Sequence, residues 1–95
     1  MRASSRPSSR LGAAQDVAIG AASAASAAFG AQTYQVRVAA TSACRIRIGD
    51  GTPTALATDS YLPADRPEYF TCTPGQKVAA ILGTGTGTLN VTELS

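Results

Sequence analysis

Two short segments near the middle of the chain alternate strictly between apolar and polar side chains. They are TYQVRVAA, residues 33–40, and ACRIRIG, residues 43–49. A period of two places successive side chains on opposite faces of an extended strand, and an amphipathic helix cannot satisfy it. We therefore predict two half-buried antiparallel strands joined by a short loop. The side chains predicted to face inward are Tyr34, Val36, Val38, Cys44, Ile46 and Ile48.

Other parts of the chain repeat this pattern of strand and turn. EYFTCT at 68–73 alternates again, and the dipeptide PG at 74–75 signals a type II turn. QKVAAILG at 76–83 and LNVTEL at 89–94 are predicted strands, and the alanine-rich residues 21–29 favour an extended segment. With about six or seven short strands at roughly ten-residue spacing, we predict an all-β fold, a small antiparallel β-sandwich or jelly-roll-like domain.

The first residues differ from the remainder in composition. Residues 1–15 are rich in Arg, Ser and Pro without periodicity, so we predict a flexible basic N-terminal arm there. Residues 16–95 form the predicted β-sandwich domain, and a total of 95 residues is typical of one domain. A signal peptide, which would make this a small secreted domain, is a less favoured interpretation because Asp16 precedes a run that is mostly Ala and Ser.

The net charge of +2 comes from the predicted arm. Arg2, Arg6 and Arg10 are three of the eight basic residues, which leaves five basic against six acidic residues in the domain, a net charge of −1. A nearly neutral domain lacks the basic face that nucleic-acid binding requires, so we predict no specific nucleic-acid partner. Because no run of eighteen apolar residues occurs, the sequence also predicts no membrane span.

Side chains suited to catalysis are scarce. The sequence has no histidine, which removes the commonest general base and metal ligand and excludes catalytic triads built on histidine. We predict a protein without enzymatic activity, cofactor or metal. Cys44 and Cys72 both fall in the inward phase of predicted strands and leave two alternatives open. They are either two buried free thiols or a disulfide between strands.

The segment YLPADRPEYFTCTPGQKVAAI, residues 61–81, has the most varied composition in the chain. It contains three prolines and three of the five aromatic residues. Pro63 and Pro67 stiffen the segment and reduce the entropy of its unfolded state. Rigid aromatic surface with few charges is typical of the cores of protein interfaces. The segment therefore indicates a shaped surface that another protein binds.

The alternation in this segment divides its large side chains between two faces. If Tyr61 and Phe70 fill the core of the domain, then Leu62 and Tyr69 remain at the surface as anchors. We combine these residues with their charged neighbours and with the arginines of the arm. The predicted partner interface comprises Arg2, Arg6, Arg10, Leu62, Pro63, Asp65, Arg66 and Tyr69.

A series of short turn and strand motifs follows in a characteristic order between residues 34 and 94. The motifs are Val36-Arg37-Val38, Ile48-Gly49-Asp50, Ser60-Tyr61-Leu62-Pro63-Ala64, Glu68-Tyr69-Phe70, Pro74-Gly75 and Lys77 to Ile81. This succession resembles small structural proteins of tailed bacteriophages, in particular the decoration or cement proteins of the head. Cys72 stands where such proteins usually carry an aliphatic residue, and the N-terminal arm lies outside the resemblance.

The resemblance implies a mechanical function. Decoration proteins are β-sandwich or jelly-roll subunits without a cofactor, and they sit across the joints between major capsid proteins on the outside of the virion. The resemblance thus implies the major capsid protein as partner, many copies or a homo-oligomer on the capsid lattice, and synthesis in the cytoplasm of the bacterial host. The alternatives are a subunit associated with the neck or tail, and a binding module of the tail-fibre type.

Overall fold

The computed structural model describes residues 11–82 and 85–94, and this part of the chain consists of β-strands, turns and loops without a helix. Arg2, Arg6 and Arg10 lie outside the described residues. No helix in the described ranges has the length and apolarity that crossing a membrane requires. The strands are β1 Leu11–Ile19, β2 Ala24–Ala25, β3 Gln35–Ala40, β4 Cys44–Gly49, β5 Ser60–Leu62, β6 Glu68–Thr71, β7 Lys77–Ile81 and β8 Gly87–Leu94.

The strands form two antiparallel sheets of four strands each. Sheet A has the order β1-β8-β3-β6 and sheet B has the order β2-β7-β4-β5. The first strand therefore pairs with the last, the second with the seventh, the third with the sixth and the fourth with the fifth. This is the arrangement of an eight-stranded jelly roll, in which one long antiparallel hairpin wraps into two packed sheets. The predicted fold class is confirmed.

One core lies between the sheets and takes alternate side chains from both. Val36, Val38, Cys44 and Ile46 are buried, as the alternation predicted, and Ile48 is half-buried against the same core. Each such aliphatic side chain contributes about 1.5–3 kcal/mol when it is removed from water. The largest fully buried side chains are Leu62, Leu89, Val36, Val38, Val78 and Val91.

The structure has a first strand, β1, that the sequence did not predict. Residues 11–15, assigned to the flexible arm by composition, belong to β1, which pairs with β8 as far as Leu11 opposite Leu94. Among residues 12–19, the buried side chains are those of Val17 and Ile19. Residues 12–16 are polar or small, so the sequence shows no apolar alternation there. Pairing with β8 stabilises their extended conformation.

The prediction for Tyr34 was wrong. Its phase matches that of Val36, but its side chain is 60% exposed. Strand β3 begins only at Gln35, so Tyr34 lies just outside the regular alternation. Its carbonyl oxygen nonetheless accepts a hydrogen bond of 2.9 Å from the N–H of Cys72, which continues the pairing of β3 and β6 by one step.

The two cysteines are buried free thiols, and the disulfide alternative is therefore not realised. Cys72 lies opposite Tyr34 at the start of β3, whereas Cys44 follows the end of that strand. The length of β3, six residues or about 20 Å, therefore separates the two cysteines. A disulfide needs Cα atoms within about 7 Å of each other. Burial raises the pKa of both thiols, and Glu93 raises that of Cys72 further.

Residues 50–59 form a loop that crosses the outer face of sheet B. The N–H of Ala55 donates to the Oγ of Ser23 at 2.8 Å, and the Nζ of Lys77 donates to the Oγ1 of Thr52 at 3.3 Å. Ala79 points outward from the sheet, since it pairs with the exposed Arg47, yet it is fully buried. The loop thus packs on sheet B, and small side chains such as Ala79 let it approach closely.

Candidate functional site

The candidate site is the edge of the sandwich where the chain passes from one sheet to the other. Residues 60–71 contain β5, a loop and β6, and we call this segment the β5–β6 edge. Strand β5 is the outer strand of sheet B, and β6 is the outer strand of sheet A. Each has a strand partner on one side only, so this edge offers both side chains and backbone groups to a neighbouring protein.

The loop of the β5–β6 edge is held against the body of the domain. Ala64 forms a bridge with Ala40, and the N–H of Asp65 donates to the carbonyl oxygen of Ala40 at 2.8 Å. Asp65 adopts a φ of 58°, a left-handed conformation that aspartate tolerates better than most residues. Together with the fixed φ of Pro63 and Pro67, these contacts order the loop in advance, which lowers the entropy cost of binding.

The sequence assigned the two large side chains of β5 to the wrong faces. Leu62, predicted as a surface anchor, is fully buried, whereas Tyr61 is 58% exposed. The reason is the register with β4, which places Leu62 opposite the buried Cys44 and Tyr61 opposite the exposed Arg45. Residues directly opposite in a sheet share a face, so β4 dictates the orientation of β5.

The other described members of the predicted interface lie at the surface. Tyr69 is 56% exposed on the outer face of sheet A, where it pairs with Arg37. Asp65 and Arg66 are exposed and Pro63 is half-buried. Phe70, in the opposite phase to Tyr69, is half-buried and packs against the core as predicted.

The tyrosine of β5 lies beneath a cation. The guanidinium carbon of Arg45 is 4.9 Å from the centre of the Tyr61 ring, within the range of a cation–π interaction. The Nη1 of Arg45 also donates to the carbonyl oxygen of Asp59 at 3.4 Å, a long contact. The structure thus joins Arg45 to the candidate site, although the sequence identified it only as an outward-facing strand residue.

A second arginine of β4 holds the end of the loop at residues 50–59, which we call the crossing loop. The Nη2 and Nε of Arg47 donate to the carboxylate of Asp59 at 2.9 and 3.1 Å. The other donor to this carboxylate is the N–H of Leu56, at 2.7 Å. The hydrogen bonds from Arg47 and Leu56 lower the pKa of Asp59, and the same ion pair raises that of Arg47.

This ion pair predicts a specific acid dependence of stability. The folded-state pKa of Asp59 lies below its ordinary value of about 3.9, so its stabilising contribution is complete above that value. The contribution is lost as the pH falls through the lowered folded-state pKa. We expect Asp59→Asn to reduce stability at neutral pH and to flatten the loss of stability below about pH 4, measured by urea unfolding across pH.

Arg47→Gln provides the matched test of this interpretation, because it removes the partner and leaves the carboxyl group in place. Its unfolding curves should show a similar flattening, and the double variant should add little to either single variant. An acid dependence in Asp59→Asn equal to that of the unchanged protein would contradict the assignment.

Two depressions lie in the surface near β4, one at the β5–β6 edge and one beside Arg45. One, with a volume of about 320 Å³, lies between the sheets at the β5–β6 edge. Its lining residues are Ile46, Arg47, Ile48, Asp59, Ser60, Phe70 and Thr71. The other, about 210 Å³, lies on the outer face of sheet B and is lined by Arg45, Ala57, Ile81 and Leu82. The first depression makes the β5–β6 edge contoured rather than flat, and the second lies outside that edge.

Comparison with known proteins adds no relative to this description. No protein-family model, no curated protein and no solved structure matches the chain. The fold and the geometry of the β5–β6 edge define a small jelly-roll domain with a pre-ordered, tyrosine-bearing edge.

Proposed function

We propose that this protein is a structural component of a tailed-phage virion, a decoration or cement subunit that stabilises the head by bridging major capsid proteins. The observation that carries the proposal is the β5–β6 edge. There, a loop that is bonded to Ala40 separates two exposed tyrosines, Tyr61 and Tyr69. The succession of motifs between residues 34 and 94 supports the same interpretation, because it resembles small virion proteins.

The positions of the two tyrosines support a bridging role. Tyr61 lies on the outer face of sheet B, and Tyr69 lies on the outer face of sheet A. Packed sheets are about 10 Å apart, so the two side chains project in opposite directions from one thin edge. A subunit with this geometry is suited to a joint, because it offers one aromatic anchor to each of two neighbours.

The jelly-roll fold is compatible with this role but does not select it. Eight-stranded jelly rolls occur in viral capsid domains, in lectins and in cupins. Function therefore depends on the surface that the fold presents. A binding module of a tail fibre would use the same fold with its loops directed at a ligand, and it remains the alternative proposal.

The nearly neutral charge of the domain favours attachment through contact area rather than through long-range electrostatic attraction. The domain beyond the arm carries five basic and six acidic residues, and three arginines lie in the first ten residues of the chain. In this proposal a nearly neutral body packs against the capsid lattice, and the basic segment contacts an acidic surface of a neighbouring subunit. An interface of about 800 Å² per partner is sufficient for specific attachment.

Reconstitution on heads tests the proposal. Particles that lack this protein should bind the purified chain until the lattice is saturated. The temperature at which they release DNA should then rise, because each bound copy adds contact area across a joint. Heads that bind the protein without any change in release temperature would contradict a cementing role. Binding confined to the neck, tail or fibres would support the alternative.

A further inference from the structure

A patch on the outer face of sheet B combines apolar surface with an arginine. We call it the Arg45 patch, and it contains Arg45, Ala57, Tyr61, Ile81 and Leu82. Arg45 lies between Tyr61 and Ile81 in the ladder of sheet B. The crossing loop brings Ala57 to the side of this row, where it lines a depression together with Arg45, Ile81 and Leu82.

The guanidinium of Arg45 is oriented but largely unused. It lies over the Tyr61 ring, and its one described hydrogen bond is the long contact to the carbonyl oxygen of Asp59. Among residues 11–82 and 85–94, the only ion pair is that of Arg47 with Asp59, so Arg45 has no carboxylate partner there. A guanidinium has five N–H donors, which leaves several available for an acceptor from outside.

The neighbouring carboxylate does not compete for Arg45. Both oxygens of Asp59 already accept hydrogen bonds from Arg47, and one also accepts from Leu56. An incoming carboxylate therefore meets the positive charge of Arg45 beside an acidic group that is already neutralised. Arginine binds carboxylates in a bidentate manner, and stacking on an aromatic ring fixes its plane for this geometry.

The depression beside Arg45 is small and mostly apolar. Its volume of about 210 Å³ lies below the 300–1,000 Å³ of typical small-molecule sites. Ala57, Ile81 and Leu82 line it with apolar groups. An aliphatic side chain fits this environment, and a charged or strongly polar group would lose hydration there.

We propose that the Arg45 patch is an anchor site for a partner segment in which an aspartate or glutamate lies next to an aliphatic residue. The carboxylate pairs with Arg45, and the aliphatic side chain fills the depression lined by Ile81 and Leu82. A side-chain carboxylate within a loop is the occupant, because folded partners present loops at their surfaces far more commonly than free chain ends. The inference rests on the proposed function for the identity of the partner, which is then the capsid protein.

The chemistry can be tested without a virion. The full chain, labelled with ¹⁵N, is titrated with the dipeptide acetyl-Leu-Asp-amide and with acetyl-Leu-Asn-amide, which has the same shape without the charge. We expect the Asp peptide to shift the amide signals of Arg45, Ile81 and Leu82 with a dissociation constant on the order of 1 mM. The Asn peptide should bind about tenfold more weakly, because a charge-assisted pair is replaced by neutral hydrogen bonds.

A matched pair of variants assigns the effect to one residue. Arg45→Gln should abolish the preference for the Asp peptide. Lys77→Gln removes the same charge from the same face, at the far end of the β4–β7 ladder, and should leave the preference unchanged. The amide spectrum of each variant reports its fold in the same experiment. Equal binding of the two peptides, or an undiminished preference in Arg45→Gln, would overturn the proposal.

Attachment to particles separates this inference from the proposed function. If the unchanged chain binds heads and Arg45→Gln binds at least about tenfold more weakly, both are supported. Equal binding of heads by the two chains overturns the inference and leaves the decoration role intact. A preference for the Asp peptide in a protein that is absent from virions leaves the site intact and overturns its assignment to the capsid protein.

Discussion

Leu62→Ala should destabilise the fold by about 3 kcal/mol and lower the Tm by about 15 °C. Leu62 is fully buried where β5 meets β4, and its removal leaves a cavity between the sheets. Chemical denaturation followed by circular dichroism measures the change in the free energy of unfolding. The expected loss is a large part of the stability of a domain of this size.

Leu56→Ala is the matched control for this prediction. The change deletes the same atoms from a leucine that is 49% exposed, so we expect a loss within about 0.5 kcal/mol. A similar cost for the two variants, or a loss below about 1 kcal/mol for Leu62→Ala, would contradict the register of β5 on β4. The comparison therefore tests which of Tyr61 and Leu62 faces the solvent.

Tyr69→Ala should weaken binding to phage heads by about thirtyfold while the Tm changes by no more than a few degrees. Tyr69 is 56% exposed, so its side chain contributes little to the core. Exposed tyrosines at the centre of an interface commonly contribute about 2 kcal/mol to binding. Quantitative cosedimentation of the variant with heads that lack this protein measures the change in affinity.

Tyr34→Ala controls for the loss of an exposed tyrosine. Tyr34 is 60% exposed but lies before β3, outside the β5–β6 edge, so its variant should bind heads like the unchanged protein. Tyr61→Ala should weaken binding as Tyr69→Ala does, because a bridge needs both anchors. Full attachment of Tyr69→Ala, or an equal loss in Tyr34→Ala, would remove the β5–β6 edge from the interface.

The fold could be predicted where apolar side chains alternate with charged ones. Val36, Val38 and Ile46 occupy inward positions next to arginines, and this contrast alone determines both strands. Short strands lack such contrast. In β5 the sequence Ser-Tyr-Leu offers two large side chains in opposite phases, and only the pairing with β4 decides between them.

Contacts between distant segments account for the features that the sequence did not reveal. Ser26 is buried, and its Oγ accepts a hydrogen bond from the N–H of Val78 at 3.1 Å, which extends the ladder beyond the two residues of β2. Gln15 plays a similar role, since its Oε1 accepts from the N–H of Ala27 at 2.9 Å. Neither contact has a local signature in an alanine-rich sequence.

The candidate site was partly predictable. Its stiffness followed from Pro63 and Pro67, and the exposure of Tyr69 followed from its phase against Phe70. The role of Arg45 could not be predicted, because it depends on Tyr61 facing outward beside it. The packing of the loop at residues 50–59 on sheet B was also unforeseen, since it depends on contacts between segments far apart in the chain, such as the hydrogen bond from the N–H of Ala55 to Ser23.

The number of copies per particle tests the central claim most directly. Quantitative mass spectrometry of purified virions, with the major capsid protein as the internal reference, gives this number. The proposal predicts hundreds of copies, in a fixed ratio to the capsid lattice. About a dozen copies or fewer would contradict a decoration role and favour the neck or tail, and complete absence from virions would contradict any structural role in the particle.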